Sequence, residues 1–266
     1  MSETPRLYSH AIGVFDSGVG GLSVLRAVRA ALPHEDLVYV ADSGHAPYGD
    51  KSPQHITQRT LHVGQWLALN GVDAITIACN TATVVAAQAL REQTHLPVVA
   101  IEPAIKPAVA LTQSGAIGVL ATQQTVQSSS VARLIAQHAQ GVAVHLQACA
   151  GWVEQVEAGA LDDAQTEALV RAHVTPLLEK GCDTLVLGCT HYPFLTPLLR
   201  RVAGPGVTLL DPAQAVAREL VRRLGPRPAR STRGQTWFLS SGNLSQAQRV
   251  IGQLWGQAVA VAPLPE

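Results

Sequence analysis

Two cysteines of this chain each end an apolar run inside the same local pattern. Residues 70–81 read NGVDAITIACNT and residues 180–191 read KGCDTLVLGCTH, so that Cys79 and Cys189 stand in register. A thiolate is a base, and the thiol it becomes can give a proton back. If the two segments face each other across one cleft, their sulfurs could move a proton on and off opposite faces of one carbon.

A second pair of segments repeats at a similar offset along the chain. IGVFDS at 12–17 matches IGVLAT at 117–122. The pattern therefore predicts two copies of one α/β unit, each of which places a cysteine at the end of a buried strand.

Short runs rich in Val, Ile and Leu alternate with amphipathic stretches along the whole chain. Strands that are apolar on both faces and separated by helices indicate parallel sheets covered on each side. The predicted strands are 11–15, 37–41, 74–78, 97–101, 116–121, 142–147, 184–188, 207–210 and 236–240. The predicted helices are 21–32, 53–70, 82–94, 124–139, 163–180, 194–202, 212–224 and 243–254.

We therefore predict an α/β protein with two pseudo-symmetric parallel-sheet domains and an active site in the cleft between them. Residues 99–207 are predicted to form the second domain. Residues 1–98 and 208–266 are predicted to form the first, because the last strands and helices have no counterpart in a two-copy count and can return to extend it.

Polar residues follow the predicted strands directly, at the edge where ligands bind in open α/β sheets. Helix N-termini at this edge bind carboxylates and stabilise thiolates. The Pro/Gly loop at 41–52, with Pro47, Tyr48 and Gly49, could line the same cleft or be a plain turn. The polar residues at the strand ends are Asp16, Ser17, Cys79, Asn80, Thr81, Thr122, Cys189, Thr190 and His191.

The four cysteines divide into two classes. Cys149 and Cys182 are interpreted as small buried hydrophobic residues. His191 lies two residues after Cys189, which allows either a Cys–His nucleophile pair or a group that tunes the thiol. We predict no metal site, because no C-x-x-C is present and His191 with two remote cysteines is not a zinc spacing.

Composition excludes several classes of partner. The formal net charge is zero and 47% of residues are hydrophobic, so nothing indicates a surface for nucleic acid or anionic membrane. No run approaches the ~20 apolar residues of a membrane span. Residues 1–10 lack an apolar run and are not expected to be a secretory leader, and the basic cluster at 225–234 is expected to be a surface loop. Four cysteines without secretory features favour a reducing cytoplasm.

With these residues in place, the chain resembles the glutamate racemases of the cofactor-independent aspartate/glutamate racemase superfamily over residues 11 to 224. The resemblance implies a two-base mechanism without pyridoxal phosphate or any other cofactor. It also implies that Cys79 deprotonates D-glutamate and that Cys189 deprotonates L-glutamate. The motifs are FDSGVGGLSVL at 15–25, YVADSGHAPYGDKS at 39–52, ACNTAT at 78–83, EPAIKPA at 102–108 and LGCTHYPFL at 187–195.

The resemblance extends to the residues around the cysteines. Asp16 and His191 match positions that assist the thiols, and Glu157 falls where the family often has a further acidic residue. The family also implies that D-glutamate supplies peptidoglycan precursor synthesis and that the protein is a homodimer. Positions that match substrate-binding residues are Asp16, Ser17, Pro47, Tyr48, Gly49, Asn80, Thr81, Thr122 and Thr190.

Four other functions are open at the level of sequence. A relative could act on aspartate or hydantoins, although DSGVGG and APYGDKS are glutamate-type features. A one-cysteine decarboxylase would not need both cysteines, and a Cys–His hydrolase would leave Cys79 unexplained. A non-catalytic module that binds an acidic ligand would not need two reactive thiols.

Overall fold

The computed structural model describes residues 7–227 and 231–265, which form two parallel β-sheets flanked by helices. The strands are β1 (Ile12–Asp16), β2 (Leu37–Ala41), β3 (Ala74–Ile77), β4 (Val98–Ala100), β5 (Ala116–Ala121), β6 (Ala143–Ala148), β7 (Thr184–Leu187), β8 (Thr208–Leu210), β9 (Thr236–Ser240) and β10 (Val261–Pro263). The first sheet has the order β10-β9-β2-β1-β3-β4, and the second has the order β6-β5-β7-β8. The predicted fold class is confirmed.

Helices connect successive strands and cover the sheets. They are α1 (Leu22–Ala31), α2 (Pro53–Leu69), α3 (Asn80–Gln93), α4 (Ile105–Leu111), α5 (Gln123–Val126), α6 (Ser129–His138), α7 (Trp152–Ala158), α8 (Ala164–Glu179), α9 (Thr196–Ala203), α10 (Ala213–Leu224) and α11 (Leu244–Trp255). None of the described helices is long and apolar enough to cross a membrane.

The predicted strands all occur within one residue of their predicted limits, but several other elements differ. β10, α4 and α7 were not predicted, because they are short and carry little periodic signal. The predicted helix at 124–139 is two helices, since the Ser128 hydroxyl accepts from the Val131 N–H and begins α6 anew. Residues 1–6 of the N-terminal stretch and residues 228–230 of the basic cluster lie outside the described part of the chain.

The chain passes from the first sheet to the second and back. β4 at 98–100 belongs to the first sheet and β8 at 208–210 to the second, so each sheet continues two or three residues beyond the predicted domain limits. β9 and β10 then pair next to β2, in the first sheet. The division of the chain into domains stays a prediction.

The glycines of the repeated pattern end two matching helices. Gly71 follows α2 with a φ of 89°, and Gly181 follows α8 with a φ of 78°. The N–H of Gly181 donates to the Leu178 carbonyl at 2.9 Å, and the next N–H donates to Leu177 at 3.1 Å. A residue in the left-handed region closes a helix in this way, and glycine is the residue that adopts it at least cost.

The repeated aspartate has a structural role at the opposite end of the sheet from the cysteine. Asp183 accepts the Gln113 N–H at 2.7 Å, the Ser114 N–H at 2.8 Å and the Thr112 hydroxyl at 2.6 Å. These bonds hold the turn that leads into β5, and they keep the pKa of the Asp183 carboxyl below its usual range despite the opposing effect of burial. In the second copy, the repeated pattern therefore helps to set how the strand before Cys189 begins as well as how it ends.

We predict that Gly181→Ala lowers the free energy of unfolding by about 1 kcal/mol, because alanine is strained in the left-handed region. Urea unfolding monitored by circular dichroism measures this change. Gly206→Ala is the matched control, since Gly206 lies outside the left-handed region and a Cβ there meets nothing within 4 Å. Equal stabilities of the two variants would contradict the role of Gly181.

Candidate active site

The carboxyl ends of the central strands of the two sheets meet at one place. Asp16 ends β1, Cys79 directly precedes α3 after β3, and Cys189 lies two residues after β7. Thr122 follows β5 and begins α5. All four positions were predicted to lie at one cleft, and the hydrogen bonds described below join them.

Asp16 is fully buried where the two sheets meet. One carboxylate oxygen accepts the Gly18 N–H at 2.8 Å, and the other accepts the Thr190 hydroxyl at 2.8 Å. Burial raises the pKa of Asp16 to about 6, against the lowering effect of the His191 charge and of these two hydrogen bonds. The bond from Thr190 is a direct link between the first sheet and the loop after the second.

Cys79 is buried and forms the N-cap of α3. Its sulfur accepts the Ala82 N–H at 3.4 Å and donates to the Ser17 hydroxyl at 3.5 Å. The helix N-terminus favours a thiolate. However, burial, followed by the negative charge of Asp16, raises the pKa of Cys79 to about 12. The proton therefore rests on Cys79 in this arrangement.

Cys189 is equally buried but has a different neighbour. A 3₁₀ turn at Tyr192–Leu195 follows it instead of an α-helix, and its sulfur lies 3.7 Å from Nδ1 of His191. Nε2 of His191 lies 2.7 Å from Oε1 of Glu157. Burial alone would lower the pKa of His191, but the contacts with Cys189 and Glu157 raise it well above its ordinary value. This pairing favours an imidazolium at His191, with Nδ1 beside the Cys189 sulfur.

Glu157 joins the Cys189 side of the site to the first sheet. Oε1 also accepts the Val19 N–H at 2.7 Å, and Oε2 accepts the Ser43 hydroxyl at 3.4 Å. The sequence pointed to Glu157 only through the resemblance, because α7 itself was not predicted. Glu157 lies in the last turn of α7, directed at the loop that follows β1.

The glycines of DSGVGG let this contact form. A Cβ on Gly18 would stand 1.8 Å from Oε1 of Glu157, and a Cβ on Gly20 would stand 2.3 Å from Nδ1 of His191. Such distances are far inside van der Waals contact, so side chains from the other sheet can approach only bare backbone. The glycines therefore serve close approach here, in addition to forming a turn.

Several candidate substrate-binding residues point polar atoms into the same region. Neither polar atom of the buried Asn80 side chain has a hydrogen-bond partner among the described residues, and an unpaired buried amide is costly unless a ligand binds it. The Thr81 and Thr122 hydroxyls are 2.9 Å apart, between the two sheets. Ser17 is buried beside Cys79.

The loop at 41–52 divides into lining and supporting residues. Pro47 and Gly49 border a cavity of about 70 Å³ together with Thr122. The Tyr48 hydroxyl instead donates to Asp42 at 2.6 Å. The Asp42 carboxylate also accepts two hydrogen bonds from the Arg59 guanidinium, at 2.8 and 3.0 Å. Asp42 and Arg59 were not predicted, because no sequence pattern links these two residues, which are 17 positions apart.

Neither a metal cluster nor a disulfide is found in the described part of the chain. No group of three His, Cys, Asp or Glu side chains there could hold a metal ion, and all four cysteines are free and buried. Cys149 lies in the cavity wall beside Thr122, and Cys182 precedes β7 at the other end of the sheet.

We predict that the free energy of unfolding falls as the pH rises from about 4 to 7, because of Asp16. Its pKa of about 6 in the folded state exceeds the unfolded value of 3.8, so the folded state binds the proton more tightly in this range. The loss amounts to about 3 kcal/mol at most. Urea unfolding at several pH values should show Asp16→Asn gaining stability relative to the unsubstituted protein as pH rises. Identical pH dependence of the two proteins would contradict the prediction.

Comparisons with known proteins identify the family of this chain. The family model for Asp/Glu/Hydantoin racemase matches residues 19–220. Glutamate racemase of Methylococcus capsulatus is 52% identical over 96% of both chains, and that of Pseudomonas aeruginosa is 48% identical over 96% of this chain and 98% of its own.

Solved structures are similar over nearly the whole chain. Escherichia coli glutamate racemase, in complex with L-glutamate and the activator UDP-MurNAc-ala, superposes with a TM-score of 0.85 at 33% identity, covering 96% of this chain and 98% of its own. Glutamate racemase from Thermus thermophilus, in complex with beta-chloro-D-alanine, has a TM-score of 0.80 at 34% identity, covering 98% of both chains. The chain therefore belongs to the Asp/Glu/Hydantoin racemase family.

Proposed function

We propose that this protein is an amino-acid racemase that interconverts L-glutamate and D-glutamate by using Cys79 and Cys189 as its two bases. The observation that carries the proposal is the pair of buried sulfurs at the ends of β3 and β7, one held as a thiol and the other paired with an imidazolium. The names of relatives about 50% identical support glutamate as the substrate.

In the direction from L to D, the Cys189 thiolate takes the α-proton while the electron pair of the C–H bond stays on carbon. The Cys79 thiol then gives its proton to the opposite face, which leaves Cys79 as the thiolate and Cys189 as the thiol. The reverse reaction exchanges these roles. The two sulfurs thus need opposite protonation states.

The α-proton of an amino acid is weakly acidic, so the site must stabilise negative charge that develops on the α-carbon and its carboxylate. Preorganised donors in a site closed to water do this most effectively. We assign carboxylate binding to Ser17, Asn80, Thr81, Thr122 and Thr190, and we assign the lining of the site to Pro47, Gly49 and the Tyr48 ring. The Asp16 carboxylate would accept from the substrate ammonium.

His191 and Glu157 would act on the Cys189 side. When Cys189 is a thiolate, the imidazolium stabilises it through Nδ1–H, and the Glu157 carboxylate stabilises the imidazolium through Nε2–H. Proton transfer of this kind requires the two sulfurs alone as acid and base, so we propose no cofactor and no metal.

One specific observation favours a second candidate. Cys189, His191 and Glu157 contact one another in sequence, at 3.7 and 2.7 Å, as do the nucleophile, the base and the orienting acid of a Cys–His hydrolase. That reaction would not need Cys79. The dependence of activity on Cys79 therefore separates the two functions.

The wider role is also part of the proposal. We infer that D-glutamate made here supplies peptidoglycan precursor synthesis, and that the protein works in the cytoplasm as a homodimer, in line with the family it belongs to. We also propose two lobes, residues 1–98 with 208–266 and residues 99–207, separated by the cleft. The grouping of strands into two sheets supports this division.

The test is incubation with L-glutamate in D₂O without added cofactor, followed by NMR at Cα and chiral analysis. We expect D-glutamate that carries deuterium at Cα. Cys79→Ala and Cys189→Ala should each lower turnover by roughly a thousandfold, the scale of acid–base catalysis.

Cys182→Ala is the matched control, because Cys182 is a buried cysteine at the other end of β7, and it should keep normal turnover. Near-normal racemisation by either of the first two variants would overturn the two-base assignment. Absence of exchange with either enantiomer would remove glutamate as the substrate. Hydrolysis that needs Cys189 but not Cys79 would favour the hydrolase.

A further inference from the structure

Three side chains on one face of α11 donate to the end of α7. Gln246 Nε2 lies 3.5 Å from the Glu157 carbonyl, Arg249 Nη2 lies 3.3 Å from the Ala158 carbonyl, and Gln253 Nε2 lies 3.0 Å from the Gly159 carbonyl. The donors are spaced three and four residues apart, which places them on one helix face. They contact three successive carbonyls that a helix C-terminus otherwise leaves unpaired.

Gly159 makes room for the side chain of Gln253. It ends α7 in the left-handed region with a φ of 78°. A Cβ at this position would stand 2.6 Å from Oε1 of Gln253 and 3.4 Å from Nη1 of Arg249. The sequence after Glu157 therefore both stops the helix and allows close approach of α11.

The two helices are not packed closely along their whole length. A cavity of about 290 Å³ lies between them, lined by Val153 and Glu157 of α7 and by Ala247 and Val250 of α11, and bordered by Pro47. Because apolar contact is interrupted there, the polar contacts of Gln246, Arg249 and Gln253 carry a larger share of the connection.

α11 is itself fixed on the side of the first sheet. Val250, Ile251 and Leu254 are buried, and Arg26 of α1 donates to the Leu254 carbonyl at the end of α11. The Arg26 guanidinium also lies 5.9 Å from the centre of the Phe194 ring, in the 3₁₀ turn after His191. α11 can therefore transmit the position of the first sheet to α7.

We propose that α11 is a positioning element for the Cys189 half of the site, in which Arg249 and Gln253, with Gln246, hold the last turn of α7 so that Glu157 reaches His191. This inference rests on the proposed function for its catalytic consequence. The last turn of α7 bears Glu157, and Glu157 makes the 2.7 Å contact with Nε2 of His191. Loss of the donors lets that turn move, so that Glu157 no longer stabilises the His191 imidazolium. A thiolate on Cys189 then loses the positive charge beside it. Cys79 has its own partners in Ser17 and Ala82 and is unaffected.

The first measurement is the rate at which iodoacetamide alkylates each cysteine, followed by peptide mass spectrometry across a range of pH, without substrate. In Arg249→Ala/Gln253→Ala, we expect the rate at Cys189 to fall roughly tenfold near neutral pH, a change of about 1.4 kcal/mol. The rate at Cys79 should stay the same. A variant that merely loosens the fold would expose both cysteines and raise both rates.

The second measurement uses turnover and isotope effects. The same double variant should lower kcat roughly tenfold, and the primary isotope effect should rise with α-deuterated L-glutamate and fall with the D-enantiomer. The single variant Arg249→Lys keeps a donor at this position and leaves Gln253 intact, so it should retain most of the kcat that the double variant loses. Gln248→Ala is the control, since Gln248 is an exposed glutamine on the same helix.

The two measurements fail in different ways. Unchanged alkylation of Cys189 in the double variant, or an equal change at both cysteines, would overturn the positioning role whatever the substrate is. If the alkylation rate falls selectively at Cys189 but the protein does not racemise glutamate, the positioning role is upheld and the proposed function is refuted.

Discussion

The hydrogen bond from Thr190 to the fully buried carboxylate of Asp16 is the interaction on which the rest of the site depends. It joins the carboxyl ends of the two sheets at 2.8 Å, and it helps to keep a charge that burial strongly disfavours. The charge of Asp16 acts on both sides of the site. It raises the pKa of Cys79, after the larger effect of burial, and it interacts favourably with the His191 imidazolium. One carboxylate therefore disfavours ionisation of Cys79 and favours the protonated form of His191.

The pseudo-symmetry of the chain ends at the surroundings of the two sulfurs. Cys79 has a backbone N–H of an α-helix as its hydrogen-bond donor, whereas Cys189 has an imidazole. A backbone donor cannot change its charge, but an imidazole can, so the two halves respond to pH by different means. The duplicated α/β unit supplies the placement of both thiols, and the residues that follow each cysteine supply the difference between them.

Much of this arrangement could be predicted from the sequence because it rests on local patterns. Apolar strands, helix-ending glycines and polar residues at strand ends are all encoded within a few residues of one another, as in the segments that end at Cys79 and Cys189. The contacts that could not be predicted join residues far apart in the chain. The contacts of Tyr48 and Arg59 with Asp42 can be predicted only if the path of α2 is known. The contact of Glu157 with His191 depends on the position of α7, a helix of 7 residues with weak periodicity. The role of α11 depends on its return to the first sheet, which has no counterpart in the repeat.

That return has a mechanical consequence. The backbone passes between the sheets twice, once between β4 and β5 and once between β8 and α10. Two covalent crossings permit rotation of one sheet and its helices about the line through both crossings, while they oppose sliding and separation. Both sulfurs are buried, so a rotation about this line is the motion that the two crossings leave available for exposing them.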